Sequence, residues 1–178
     1  MEKEEYALVL EYLPNGYPLE KKMMPIAQAI GETNLTLLEL VPRRGVSLEA
    51  GEKVYIGQGK RDKIYYILGR LDKEKLTESA KSQLQEFISK IVQENEKKFV
   101  EFFNKAEAIN KRIHQIELIP GFGKKHMQEI IKQRKEKEFE SFEDMKKRIQ
   151  NLPDPGLAVE KRILRELIET ERYNLFSH

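Results

Sequence analysis

The sequence predicts an α+β protein: a five-stranded β-barrel, then linking helices, then an all-helical C-terminal domain. Three observations carry this. Five short runs of strand-favouring residues, each closed by a Pro or Gly turn, fall within the first 71 residues. From Asp72 onward, apolar residues recur at spacings of three and four instead. Two breaks rich in Gly and Pro, at 119–124 and 152–157, then divide the later helical stretch into paired segments. The boundaries follow as 1–71 for the barrel, 72–108 for the linking helices and 109–178 for the helical domain.

The five strand candidates are residues 6–13, 25–30, 34–41, 52–56 and 63–68. Pro14-Asn15-Gly16 stops the first, Gly31 the second and Pro42 the third, while Glu49-Ala50-Gly51 precedes the fourth. An open sheet of this size would leave both edges bare, so a closed or nearly closed OB-like barrel is expected. The binding loops of such a barrel lie between strands one and two and between strands four and five. Those positions hold Lys21 and Lys22, then Lys60 and Arg61. A neutral barrel with ordinary surface charge explains the same four residues equally well. Tyr55, Tyr65 and Tyr66 are candidate platforms for unpaired bases. Strand alternation keeps Tyr65 and Tyr66 from facing one ligand together, which gives one of them a core role.

Thr77 is an expected N-cap for a helix that buries Leu84, Phe87, Ile88, Ile91 and Val92. Phe99, Phe102, Phe103 and Ala106 extend a similar stripe past Asn95, which reads as core packing between barrel and helical domain. Residues 112–118 and 125–132 read as the two helices of a first hairpin. Ile109, Ile113 and Ile116 face inward on one, and Met127, Ile130 and Ile131 on the other. Ser141 and Asp144 form a capping-box pattern, and Asp154-Pro155 suits the cap and first position of a last helix.

Ile119-Pro120-Gly121-Phe122-Gly123-Lys124 carries the chemistry. It resembles the helix-hairpin-helix motif, which grips backbone phosphates without reading sequence. Glycine supplies the turn at least steric cost and lets a phosphate oxygen approach the backbone. The amides of Gly121, Gly123 and the first turn beyond are the expected donors, at the positive end of a helix dipole. Lys124 and Lys125 add charge-assisted contacts, and Phe122 locks the turn inward. Pro120 completes the motif. Net charge is +2 overall, but residues 109–135 alone hold seven Lys/Arg against two acids. The flank residues Arg112, Lys132, Arg134 and Lys135 therefore join the expected phosphate surface. The second break lacks the glycine pair, and Asp154 and Pro155 bring a negative charge and a missing amide. It is expected to be structural. No cofactor is expected, although the hairpin carbonyls can hold a monovalent cation.

Other chemistry is sparse. Without cysteine there are no disulfides and no thiolate metal sites. His114, His126 and His178 lack metal-ligand spacing, so no metal is expected. No Walker loop, dinucleotide fingerprint or Ser-His-Asp pattern occurs, and Gly57-Gln58-Gly59-Lys60 lacks the remaining glycine and the helix that should follow. No enzymatic centre is expected. No apolar run approaches the roughly 20 residues of a membrane span. The start, Met1-Glu2-Lys3-Glu4-Glu5, lacks the features of a signal peptide, so a cytoplasmic location is expected.

Several segments recur together in one known family. They are Leu37-Leu38-Glu39-Leu40, Val54-Tyr55-Ile56-Gly57, Leu76-Thr77, Asn95-Glu96, Phe99-Val100-Glu101-Phe102-Phe103-Asn104 and Phe139-Glu140-Ser141-Phe142-Glu143-Asp144. With them, nearly the whole chain resembles a prokaryotic, chiefly archaeal family of unknown function. The resemblance implies an OB-like barrel followed by tandem helix-hairpin-helix units, and RNA binding. The expectation is a non-enzymatic nucleic-acid-binding protein, for RNA before DNA, without sequence specificity. The rival is a protein–protein adaptor of a ribosomal or transcription-related complex, with the hairpin purely structural.

Overall fold

A computed structural model describes residues 3–178; Met1 and Glu2, which open the acidic start, lie outside the described residues. The chain forms two compact units. One is made from the chain up to Phe87 together with Glu166–His178, the other from Ile88–Arg165. The sequence places its boundaries elsewhere, after 71 and after 108, because a composition change marks where secondary structure switches rather than where packing does.

The first unit is built on five strands: β1 (Tyr6–Leu13), β2 (Ile26–Gly31), β3 (Leu37–Pro42), β4 (Lys53–Tyr55) and β5 (Ile64–Arg70). All pairings are antiparallel, in the order β4-β1-β2-β3-β5. The sheet is curled into a half-barrel, and β4 and β5 end it without pairing to each other. Register shifts between Val9 and Glu11 in β1, and twice along β3–β5, supply the bends that curling needs. Ala7, Val9, Ala29, Leu40, Val54 and Ile64 fill the inner face. Alternation then puts Gln28 and Glu39, partners across β2 and β3, on the other face.

Both of these polar residues are buried, and both are satisfied. Gln28 Nε2 donates to Lys75 O at 2.7 Å, and Thr77 N donates to Gln28 Oε1 at 3.1 Å. Tyr17 Oη donates to Glu39 Oε2 at 2.7 Å. Burial, reinforced by that carboxylate, holds the Tyr17 hydroxyl above the usual phenol range. These bonds fasten the β1–β2 loop and the segment before the first helix onto the sheet.

The unit is completed by the far end of the chain. Glu166 is 1% exposed, and its carboxylate accepts from the amides of Leu175, Phe176 and Ser177 and from Ser177 Oγ, at 2.9–3.1 Å. Lys73 Nζ donates to the carbonyls of Glu166 and Glu169. His178 N donates to Asn34 O at 3.0 Å, and Thr36 Oγ1 donates to His178 O at 2.7 Å.

Helix α1 (Glu78–Glu94) begins where expected: Thr77 Oγ1 accepts from Ala80 N at 3.1 Å. It stops at Asn95, whose backbone and side-chain nitrogens both donate to Ile91 O, and α2 (Glu96–Lys105) follows. The second unit then holds α3 (Lys124–Glu136), α4 (Phe142–Arg148) and α5 (Pro155–Ile168) as far as Arg165, the end of α5 from Glu166 belonging to the first unit. Ser141 caps α4 by accepting from Asp144 N at 2.9 Å, and Asp154 Oδ1 caps α5 by accepting from Leu157 N at 3.1 Å.

One expected helix does not form. Residues 112–118 hold only a 3-10 turn at Gln115–Leu118. Before it, Asn110 Oδ1 accepts from the amides of Arg112 and Ile113, and Ala108 pairs with His114 in an isolated antiparallel bridge. Asn110 offers those amides a nearer partner than a helix would.

Candidate nucleic-acid interface

The hairpin begins with Ile119, Pro120, Gly121 and Phe122. Phe122 N donates to Ile119 O at 3.0 Å, and Gly121 has φ +85°. With proline second and a positive-φ glycine third, this is a type II turn. Phe122 is buried and stacks on Phe103, ring centroids 5.6 Å apart. Ile119 is buried beside the turn. The two glycines differ in role. A Cβ on Gly121 would meet Pro153 at 3.6 Å, and its φ would be strained for any other residue. Gly123 caps α3 at φ −99°, and a Cβ there would meet nothing within 4 Å. Gly121 makes the turn, while Gly123 leaves the approach open.

The first intrahelical bond of α3 runs from Met127 N to Gly123 O at 3.0 Å. The amides of Lys124, Lys125 and His126 therefore precede any intrahelical bonding. Gly123 N reaches His126 Nδ1 only at 3.4 Å, a weak bond that an anion can displace. The first turn of α3 carries no acid, and Lys124 and Lys125 are exposed without an ion-pair partner among the described residues. Asp154, by contrast, occupies the cap of α5 with its own carboxylate.

The flank divides. Arg112, Lys132 and Lys135 are exposed and make no ion pair among the described residues. Arg134 does not belong with them. Its Nη1 donates to Phe103 O at 3.0 Å, in the last turn of α2, and to Ala106 O at 2.8 Å, just past its end. Burial lowers its pKa below the usual guanidinium value. Arg134 is a structural cap, because those carbonyls need a donor and no backbone amide among the described residues reaches them. His114, buried nearby, accepts from Ile116 N at 3.1 Å through Nδ1. Burial first, and the Arg134 charge second, hold its pKa below the ordinary imidazole value.

In the sheet unit, Lys21, Lys22 and Lys60 are exposed and unpaired among the described residues. Arg61 is partly committed, its Nε donating to Gly57 O at 2.8 Å. Tyr55 is committed too: its hydroxyl accepts from Gly59 N at 2.9 Å, and it meets Tyr6 edge to face. Tyr65 is 63% exposed, whereas Tyr66 is half-buried with its hydroxyl directed at Met24 Sδ. A larger cavity of about 1110 Å³ in this unit is lined by Glu4, Glu5 and Glu32 besides Lys3 and Arg61, a mixed field that does not suit a polyanion. Sequence reasoning missed Arg43 and Arg44, which follow β3 on an exposed turn. Their signal was the Arg-Arg-Gly run after Pro42. Among the described residues no cluster of three His, Asp or Glu side chains can hold a metal ion. No helix among them is long and apolar enough to cross a membrane.

The family model described as Protein of unknown function (DUF655) matches residues 3–178. The chain belongs to this family. An uncharacterized protein of Methanocaldococcus jannaschii, MJ0038, is 44% identical over 175 residues, covering 97% of this chain and 79% of the relative. The crystal structure of Af1531 from Archaeoglobus fulgidus, of the same family, matches with a TM-score of 0.83 and 43% identity. It covers 98% of this chain and 100% of that one.

Proposed function

We propose that this protein binds nucleic acid, RNA before DNA, by clamping backbone phosphates at the start of α3, and that it does so without enzymatic chemistry in the cytoplasm. One observation carries the reading. Gly123, Lys124 and Lys125 give a 13-residue helix an acid-free and sterically open N-terminus, with no side chain on its cap residue and two ammonium groups that make no ion pair among the described residues. A phosphate there would take amide hydrogen bonds, the helix dipole and charge-assisted contacts together.

The type II turn and the buried Phe122 support a helix-hairpin-helix reading in which the limb before the turn is shortened to a single 3-10 turn. Five antiparallel strands curled around one core support a partly open OB-like barrel. The preference for RNA rests on the family resemblance. A monovalent cation on the hairpin carbonyls fits the same turn. The adaptor reading draws on one observation: Leu19 is 99% and Met23 77% exposed on the β1–β2 loop.

The test is fluorescence anisotropy with single-stranded and duplex RNA and DNA of unrelated sequence at two salt concentrations. Sequence-independent binding is expected to fall steeply with salt. Lys124→Ala with Lys125→Ala is expected to weaken every probe alike and reduce the salt slope by roughly one per lost phosphate contact. Unchanged affinity in the folded double variant refutes the clamp. No binding to any probe at moderate salt, with a stable protein partner instead, establishes the adaptor.

A further inference from the structure

A second place in the molecule has the chemistry of a nucleotide site, and it is built entirely within the sheet unit. It is a cavity of about 480 Å³ where the end of β1, the residue before β2, the β3–β4 connection and the start of β5 converge. Tyr12, Pro25, Arg43, Arg44, Ser47 and Tyr65 contribute to its walls. Its volume lies within the range of ligand sites. No carboxylate lines it, although this unit has as many acids as bases over its first 71 residues.

The cavity is held in shape by bonds already made. Arg43 N donates to Lys63 O at 2.8 Å, and Val46 N donates to Arg43 O at 3.0 Å across a turn with Gly45 at φ +81°. Arg43 Nε donates to Arg61 O at 2.7 Å. That bond orients the guanidinium and leaves its Nη atoms without a partner among the described residues. Arg44 is exposed and equally unpaired. Tyr12 and Val46 pack against the inner core, so the floor is rigid. Tyr65 is braced edge to face by Tyr66, centroids 5.3 Å apart, and still offers most of its surface to solvent.

A braced aromatic face beside the open Nη atoms of Arg43 and the guanidinium of Arg44, unpaired among the described residues, matches a ligand with a planar ring and a phosphate. Arginine suits phosphate because its planar fork donates two parallel hydrogen bonds, and a tyrosine face stacks on any base. We infer that this cavity takes one nucleotide unit, with its base against Tyr65 and its phosphate on Arg43 and Arg44. The unit comes either from a free nucleoside monophosphate or from a single strand. The inference takes only its ligand class from the nucleic-acid reading and does not depend on the hairpin.

The test is an NMR titration of the full chain with adenosine 5′-monophosphate, ribose 5-phosphate and adenosine. The monophosphate is expected to shift the amides of Arg43–Ser47 and Tyr65 saturably, and each half-ligand to bind at least about tenfold more weakly. Tyr65→Ala is expected to weaken the monophosphate at least about fivefold, while Tyr65→Phe keeps it. Arg43→Ala with Arg44→Ala is expected to weaken it about tenfold or more, and all three variants alter exposed side chains. A pentanucleotide binding more tightly than the monophosphate identifies a strand as the source; equal affinity identifies the free nucleotide. Absence of saturable shifts in the millimolar range overturns the inference, as does affinity indifferent to Tyr65→Ala. The hairpin is judged separately with duplex, which offers no unstacked base to Tyr65.

Discussion

Gly123→Asp separates stability from binding at one position. Gly123 is an N-cap in extended backbone with empty space around its missing Cβ, so aspartate enters without strain. Aspartate is a better cap than glycine by a few tenths of a kcal/mol, and its charge opposes the helix dipole for a further 0.3–1 kcal/mol. The variant is expected to be more stable by about 0.5–1.4 kcal/mol, which for a chain of this size raises Tm by roughly 1–6 °C. The same carboxylate stands where the phosphate is proposed to sit. At about 4 Å the repulsion lies between about 1 kcal/mol in water and about 4 kcal/mol near a protein surface. Taken near the middle of that range, affinity falls at least about tenfold for every probe. Calorimetry or thermal melting gives the first quantity, and anisotropy titration at two salt concentrations gives the second. A variant with Tm equal to or above wild type and full affinity refutes the clamp. A variant that loses affinity only because it melts refutes the reading of Gly123 as an open cap.

Other perturbations test the remaining structure. Arg134→Ala uncaps the end of α2 and is expected to cost about 2–3 kcal/mol in urea denaturation, with affinity per folded molecule unchanged. Gly121→Ala forces a left-handed backbone on alanine and is expected to cost about 1–2 kcal/mol, read by the same denaturation. Because burial depresses the His114 pKa, the unfolded chain takes up the proton first as pH falls. Stability is therefore full above the ordinary imidazole value of 6.5 and declines below it until the folded pKa is passed. His114→Asn keeps an acceptor for Ile116 N and is expected to flatten that decline, measured as urea midpoints at pH 7 and pH 5.5. Glu166→Ala strips the acceptor from three amides, and hydrogen exchange of Leu175, Phe176 and Ser177 is expected to accelerate sharply.

The strands were legible because each is punctuated chemically. Pro14-Asn15-Gly16, Gly31 and Pro42 end elements within a residue or two of where the structure ends them. The caps at Thr77, Ser141 and Asp154 were legible for the same reason. Residues 112–118 misled because Ile109, Ile113 and Ile116 sit at helical spacing while Asn110 diverts the local amides. Spacing records which residues point inward and not which backbone bonds they make. Arg134 misled because a charge count cannot see that the carbonyls of Phe103 and Ala106, at the end of α2, face it. Arg43 and Arg44 were hidden by arithmetic: their charges cancel against acids that lie elsewhere in the fold.

The Glu166 clamp has a consequence for biosynthesis. The sheet unit is assembled from two stretches of chain with Ile88–Arg165 between them. Its strands are made first, but Lys73 must wait for Glu166, 93 residues later, and Thr36 for His178, 142 residues later. An expression fragment cut after residue 71 would lack both α1 and the tail that Glu166 holds. Producing the sheet unit alone calls for a circular permutation or a short linker replacing 88–165.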